Sequence, residues 1–310
     1  MKKPTVLILG ATGMLGSITL DVFAGSSQFN VIATCRSLAD AKALRQAYPK
    51  IKVRVLDAEK ATASELVKVL QGADWAVNAI GIIKPYIHDD NAKEVKRATR
   101  VNALFPHLLA EAAAKTNTRV LQIATDCVYS GQKGQYVETD VHDALDVYGK
   151  SKSLGEAHLD TIYHLRCSII GPELKGHLSL LDWFLGNPQG AELNGFTNHQ
   201  WNGVTTLHFA RLAEGIIKAD LELPHAQHII PGNLITKANL LKAFAKDFKR
   251  SDMKIKAVEA PTVIDRTLVT ADQTLNQRIW QAAGYDVPPT IEQMVTELAE
   301  YNFPQQGATS

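Results

Sequence analysis

The chain has 310 residues, 45% of them hydrophobic, which is enough to bury a substantial core in one large domain or two unequal ones. Its 33 basic and 32 acidic residues leave a formal net charge of +1, with no long block of like charge. A nucleic-acid or membrane-surface role needs a basic face to meet phosphates, so both are argued against.

The N-terminal "MKKPTVLILG" has the charged start of a signal peptide. Its apolar run of about five residues is shorter than the roughly 7–15 of a secretory core, and it reads as a buried strand. No run of roughly 18 apolar residues is present, so no membrane span is expected and the expected location is the cytoplasm. Cys35, Cys127 and Cys167 are odd in number, form no C-x-x-C and sit in or beside apolar runs, as buried reduced thiols would. His225 and His228 flank the turn-like "LPHAQH" and read as loop surface; no metal site is expected.

In chain order, strands are expected at 5–10, 30–36, 51–57, 75–81, 119–125 and 163–171. Amphipathic helices are expected between them, in "GMLGSITLDVFAG", "SLADAKALRQAY", "ATASELVKVLQ", the long "NAKEVKRATRVNALFPHLLAEAAAKT" and "YGKSKSLGEAHLDTI". A βαβα series with short connections implies an α/β fold with a doubly wound parallel sheet of the Rossmann type. Beyond residue 171 the rhythm breaks into Gly-, Pro- and Asn-rich sequence, with later helices in 204–219, 235–248 and 290–301. Residues 1–171 read as the dinucleotide-binding domain, with 204–235 packing back on it, and 172–310 as mainly a smaller α+β substrate lobe. The tail at 304–310 is expected to fray.

"LILGATGMLG" places Gly10, Gly13 and Gly16 between the first strand and the first helix. Glycines there permit a tight turn, so that backbone at Gly10, Thr12, Gly13, Met14 and Leu15 can approach a diphosphate at a helix N-terminus. The second strand ends in Arg36 and Ser37, where an NAD-preferring site usually carries an acid. A guanidinium pairs with a 2′-phosphate, so NADP(H) is expected over NAD(H), with NAD(H) the second option. Asp57, closing the third strand, is placed either to reach the adenine amino group or to cap the next helix.

With that turn, the strand-end "ATDCVYSG" and the segment "YGKSKSLGE", the chain resembles the extended short-chain dehydrogenase/reductase family over about residues 4–171. Within that family it is most similar to the dTDP-4-dehydrorhamnose reductases and related nucleotide-sugar reductases. The resemblance implies Thr125, Tyr148 and Lys152 as the catalytic set, and it places "NAIG", with Ala79, Ile80 and Gly81, and "VNA" (101–103) at the family's usual positions. Helical spacing puts Tyr148 and Lys152 on one face, where an ammonium is expected to lower the phenol pKa. The implied reaction is reduction of a keto group on a nucleotide-linked sugar. Dehydratases of the family read Thr-Asp-Glu where this chain has Thr125-Asp126-Cys127, so dehydration is not expected. An epimerase with tightly bound NAD is the alternative, and a non-catalytic NAD(P) sensor is a third reading.

Substrate contacts are expected from Asp126, from Lys84 after the fourth strand with Tyr86 beside it, and from Gln200, which with Thr205 matches a reductase segment. His199, Asn202 and Val204 depart from that segment. Trp201 reads either as a stacking platform or as core, and Arg266 either as a diphosphate ligand or as a surface ion pair. Homodimers are common in that family, and the sequence carries no interface signature.

Overall fold

The computed structural model describes residues 2–302; the tail expected to fray lies outside them. Six strands arise where the apolar runs place them: β1 (Thr5–Leu9), β2 (Asn30–Cys35), β3 (Lys52–Val55), β4 (Trp75–Asn78), β5 (Arg119–Ala124) and β6 (Ile162–Arg166). The run expected over 163–171 breaks after Arg166, and its end forms the separate β7 (Ile169–Ile170). Beyond it come β8 (Glu192–Phe196), β9 (Gln200–Trp201), β10 (Val204–Thr205), β11 (Ala226–His228), β12 (Ile235–Thr236) and β13 (Lys254–Val258).

β11-β6-β5-β4-β1-β2-β3 form one seven-stranded sheet, parallel throughout. Strand order reverses between β1 and β4, and that reversal opens a crevice at the strands' carboxyl ends. The apolar run of β1 is continuous because both its faces are covered. Val6 and Ile8 join the core on one face, whereas Leu7 and Leu9 join the core on the other. No helix among the described residues is long and apolar enough to cross a membrane.

The helices are α1 (Met14–Gly25), α2 (Leu38–Ala47), α3 (Ala63–Leu70), α4 (Ala92–Ala98), α5 (Phe105–Thr116), α6 (Val147–Leu154), α7 (Leu180–Leu185), α8 (Thr206–Ala219), α9 (Lys237–Asp247), α10 (Gln273–Ala282) and α11 (Ile291–Glu300). α4 runs into α5 through a π-helical segment, Thr99–Leu104. α8 packs on α1, and β11 extends the sheet beside β6. The larger core cluster therefore contains Val6 and Ile18 together with Phe209, Trp280 and Met294.

Two expectations fail for tertiary reasons. The helix expected to run through "GEAHLDTI" stops at Leu154, because Gly155 is pressed against Asn102; a Cβ there would lie 1.9 Å from the Asn102 carbonyl oxygen. His228 is fully buried in β11, not on a loop surface. Its Nδ1 lies 2.7 Å from the Val269 carbonyl oxygen and its Nε2 2.6 Å from Arg166.

Candidate active site

The glycine turn has the conformation its sequence demands. Gly10 has φ +79°, a backbone that side chains rarely adopt, and a Cβ at Gly16 would lie 2.0 Å from the Gly10 carbonyl oxygen. Gly13 is the N-cap of α1 and carries no capping side chain, so the helix's first N–H groups face the crevice. This uncapped, glycine-lined helix start suits a diphosphate, with backbone at Thr12, Met14 and Leu15 beside it. Across the crevice, Ile80 packs its side chain toward Gly10, and Gly81 lies between Asn102 and the Lys152 ammonium.

At the adenosine end Arg36 is exposed and makes no hydrogen bond among the described residues. Ser37 caps α2: its hydroxyl accepts from the Asp40 N–H (3.1 Å) and donates to the Asp40 carboxylate (2.8 Å). Asp57 does not cap α3, a task that falls to Thr62 in a capping box. It instead accepts from the Glu59 N–H (3.1 Å) and pairs with Lys60 (3.7 Å), holding its own turn.

Thr125 follows β5 directly. Its hydroxyl accepts from the Cys127 N–H (3.2 Å) and donates to Asp126 Oδ1 (3.2 Å), and the Tyr148 phenol lies near it. Tyr148 reaches it because α6 lies close on this strand end. Asp146 caps α6 by accepting from the Gly149 N–H (2.8 Å), and a Cβ at Gly149 would lie 2.4 Å from the Cys127 carbonyl oxygen. Gly149→Ala is therefore expected to push Tyr148 off Thr125. Turnover should fall far more than stability, which should change by no more than the ~1–3 kcal/mol typical of overpacking. Steady-state rates beside urea denaturation check this, and a loss of stability with rates unchanged would refute it.

Lys152 is 8% exposed and donates to the Ile123 carbonyl oxygen (3.2 Å). Burial pulls its pKa down to about 8. The expected lowering of the phenol pKa is not what the structure has. Burial pushes Tyr148 up, the neighbouring Cys127 adds to that, and only the Thr125 hydroxyl opposes it. The tyrosine is held neutral, as a proton donor. The Cys127 thiol is pushed up to about 12, chiefly by burial, so it cannot serve as an acid or base near neutral pH.

Asn102 is a residue the sequence reading placed in a matching segment without assigning it to the site. It sits in the π-helical segment, buried, and accepts from the Ile82 N–H (2.8 Å) while donating to the Ile82 carbonyl (3.0 Å) and to Ser151 Oγ (3.4 Å). It thus ties the loop after β4 to α6; π-helical turns often mark functional sites.

On the substrate side, Asp126 is buried, which raises its pKa against the opposing charges of Arg266 and Lys237. Arg266 is no surface ion pair: its Nε donates to the Tyr129 carbonyl (2.8 Å). Lys84 is engaged with Asp146 (2.8 Å), and Tyr86 packs over Gly176. Trp201 belongs to the core, 4% exposed, with its indole N–H donating to Ser168 Oγ (2.8 Å), so it is no stacking platform. Thr205 is fully buried as the cap of α8 and Asn202 is bonded to the Leu268 backbone, which removes both from substrate contact. Gln200 is half-buried in β9, opposite Thr236.

A profile of the RmlD substrate binding domain family matches residues 4–170. The chain belongs to this family. A dTDP-4-dehydrorhamnose reductase of Aggregatibacter actinomycetemcomitans is 46% identical over 79 residues, which is 25% of this chain and 27% of that relative. The fold matches that of the Bacillus anthracis dTDP-4-dehydrorhamnose reductase solved with NADP, with a TM-score of 0.70 at 16% identity over 96% of this chain and 98% of that one. It equally matches the Bacillus cereus UDP-glucuronic acid 4-epimerase solved with UDP-glucuronic acid and NAD, with a TM-score of 0.72 at 16% identity over 96% and 98% of the two chains.

Proposed function

We propose that this member of the RmlD substrate binding domain family is a cytoplasmic, NADP-dependent reductase of a keto group on a nucleotide-linked sugar. The observation that carries the reading is the convergence of Thr125, Tyr148 and Lys152 on the crevice opened by the glycine turn. The dinucleotide supplies the hydride when bound. The α1 N-terminus and the turn at Gly10–Leu15 would hold its diphosphate, and Arg36, which makes no hydrogen bond among the described residues, would meet a 2′-phosphate, which favours NADP(H) over NAD(H). Thr125 orients the substrate carbonyl. Tyr148, kept neutral by burial, donates its proton to the carbonyl oxygen as charge develops there. Lys152 holds the nicotinamide ribose and keeps a positive charge behind the phenol. The nearby reductase sequence supports the substrate class, and Cys127, where dehydratases of the family carry an acid, speaks against elimination.

The likeness to an epimerase supports a second reading, in which the same three residues work with tightly held NAD. NADPH oxidation against a panel of 4-keto nucleotide sugars separates the two. Turnover with NADPH by protein purified free of dinucleotide is the expected result. Co-purification of NAD with no net NADPH oxidation would sink the reductase reading.

A further inference from the structure

Lys237, the first residue of α9, stands where the two lobes of the site meet. β12 pairs antiparallel with β9, Thr236 opposite Gln200, and the Lys237 N–H donates to the His199 carbonyl (2.9 Å). This anchoring projects the side chain over the Trp201 indole, with Nζ 5.6 Å from the ring centroid. From there the ammonium faces Asp126, Cys127 and Arg266. Burial disfavours its charge, yet it makes no hydrogen bond or ion pair among the described residues. Of the neighbouring cations, Lys84 is neutralised by Asp146, whereas Arg266 uses only Nε and leaves its terminal nitrogens open. On β9, opposite Thr236, Gln200 Oε1 is buried and has no partner among the described residues. Lys237 is half-buried and Gln200 Oε1 is buried, and a buried polar group left open is costly unless a ligand completes it.

We propose that Lys237 is a substrate-recognition residue which, with the Arg266 guanidinium, binds an oxyanion of the nucleotide-linked sugar, while Gln200 Oε1 accepts from a sugar hydroxyl. The proposal rests on the reductase reading above. The oxyanion is a phosphate oxygen of the diphosphate bridge or a carboxylate on the sugar ring, and both present the same chemistry to an ammonium and a guanidinium. The ammonium lies over the Trp201 indole, a cation–π contact that holds the charge in place.

Calorimetry on the NADP-loaded protein tests this, with dTDP and D-glucuronate as separate probes. Lys237→Gln is expected to weaken binding of one probe by roughly tenfold or more, and Lys237→Arg to retain most of it. Loss confined to dTDP assigns the diphosphate; loss confined to glucuronate assigns a ring carboxylate. NADP affinity, read on each variant, reports that the fold is kept, and Lys237→Met repeats the comparison if Lys237→Gln fails that check. Equal binding of both probes by wild type and Lys237→Gln overturns the proposal, while NADPH oxidation of the sugar panel still stands as a separate test of the reductase reading. Wild-type protein that binds neither probe overturns it as well.

Discussion

Replacing Tyr148 with phenylalanine is expected to lower kcat by roughly 10²–10⁴-fold, the usual contribution of a positioned proton donor. The ring is retained, so packing against the cluster of Ile82, Ile87, Ala98 and Val101 is kept and thermal stability should change little. The lost hydroxyl is the one near Thr125, and burial holds it protonated across the neutral range. Because that interaction acts on the oxygen only as it gains charge, kcat and kcat/KM should fall together, with KM little changed. The wild-type pH profile carries a further signature. The donor itself does not ionise near neutrality, whereas Lys152 loses its charge as pH rises through about 8. The sign is therefore loss on the alkaline side: kcat/KM is flat below that value and falls above it. Initial rates of NADPH oxidation on wild type and Tyr148→Phe across pH check both points. A variant that retains wild-type kcat would remove Tyr148 from the chemistry altogether.

The parts of this protein that were legible in its sequence are those fixed by neighbours in the chain. β1 through β6 follow from apolar runs bounded by turn residues, and the parallel sheet follows from their alternation with helices. The strand–glycine–helix turn is equally local: Gly10 and Gly16 are demanded by backbone within one turn. What was missed depends on contacts between distant segments. "LPHAQH" has turn composition, yet pairing of Ala226–His228 with His164–Arg166 pulls His228 into the sheet. Trp201 could have faced a ligand or the core, and only the Ser168 hydroxyl beneath it decides for the core. β8 and β13 are joined in parallel although far apart in the chain, a pairing with no local signature. Lys237 carries no motif at all. Its place at the site comes from the β9–β12 pairing and from Asp126, which belongs to the other half of the molecule.

Arg166→Met is expected to cost about 3–5 kcal/mol of stability, the range for stranding one partner of a buried ion pair. Arg166 is 1% exposed and grips Glu156 with two bonds, Nε to Oε1 at 3.1 Å and Nη2 to Oε2 at 2.6 Å. Its Nη1 donates to the Tyr129 hydroxyl (3.0 Å) and to His228 Nε2 (2.6 Å). That contact fixes His228 as the neutral tautomer that donates from Nδ1 to Val269, consistent with a histidine pulled down to about 4, first by burial and then by the arginine's charge. Methionine keeps the volume and removes every one of these bonds. Burial alone would raise the Glu156 carboxyl, but the Arg166 charge and hydrogen bonds, together with His164 and His142, hold it below its ordinary range. A depressed carboxyl contributes stability above its unfolded pKa and loses it as pH falls through the folded value. In the variant the sign reverses: with its counter-charge gone, Glu156 is raised by burial, so the cost of keeping it ionised grows as pH rises. The gap between wild type and Arg166→Met should therefore be widest at neutral pH and narrow toward acid. Urea midpoints at matched m-values across pH measure it. Arg166→Met combined with Glu156→Leu removes the stranded charge and should recover most of the loss. A gap that is independent of pH, or a double variant no better than the single one, would mean that the loss comes from packing and not from the ion pair.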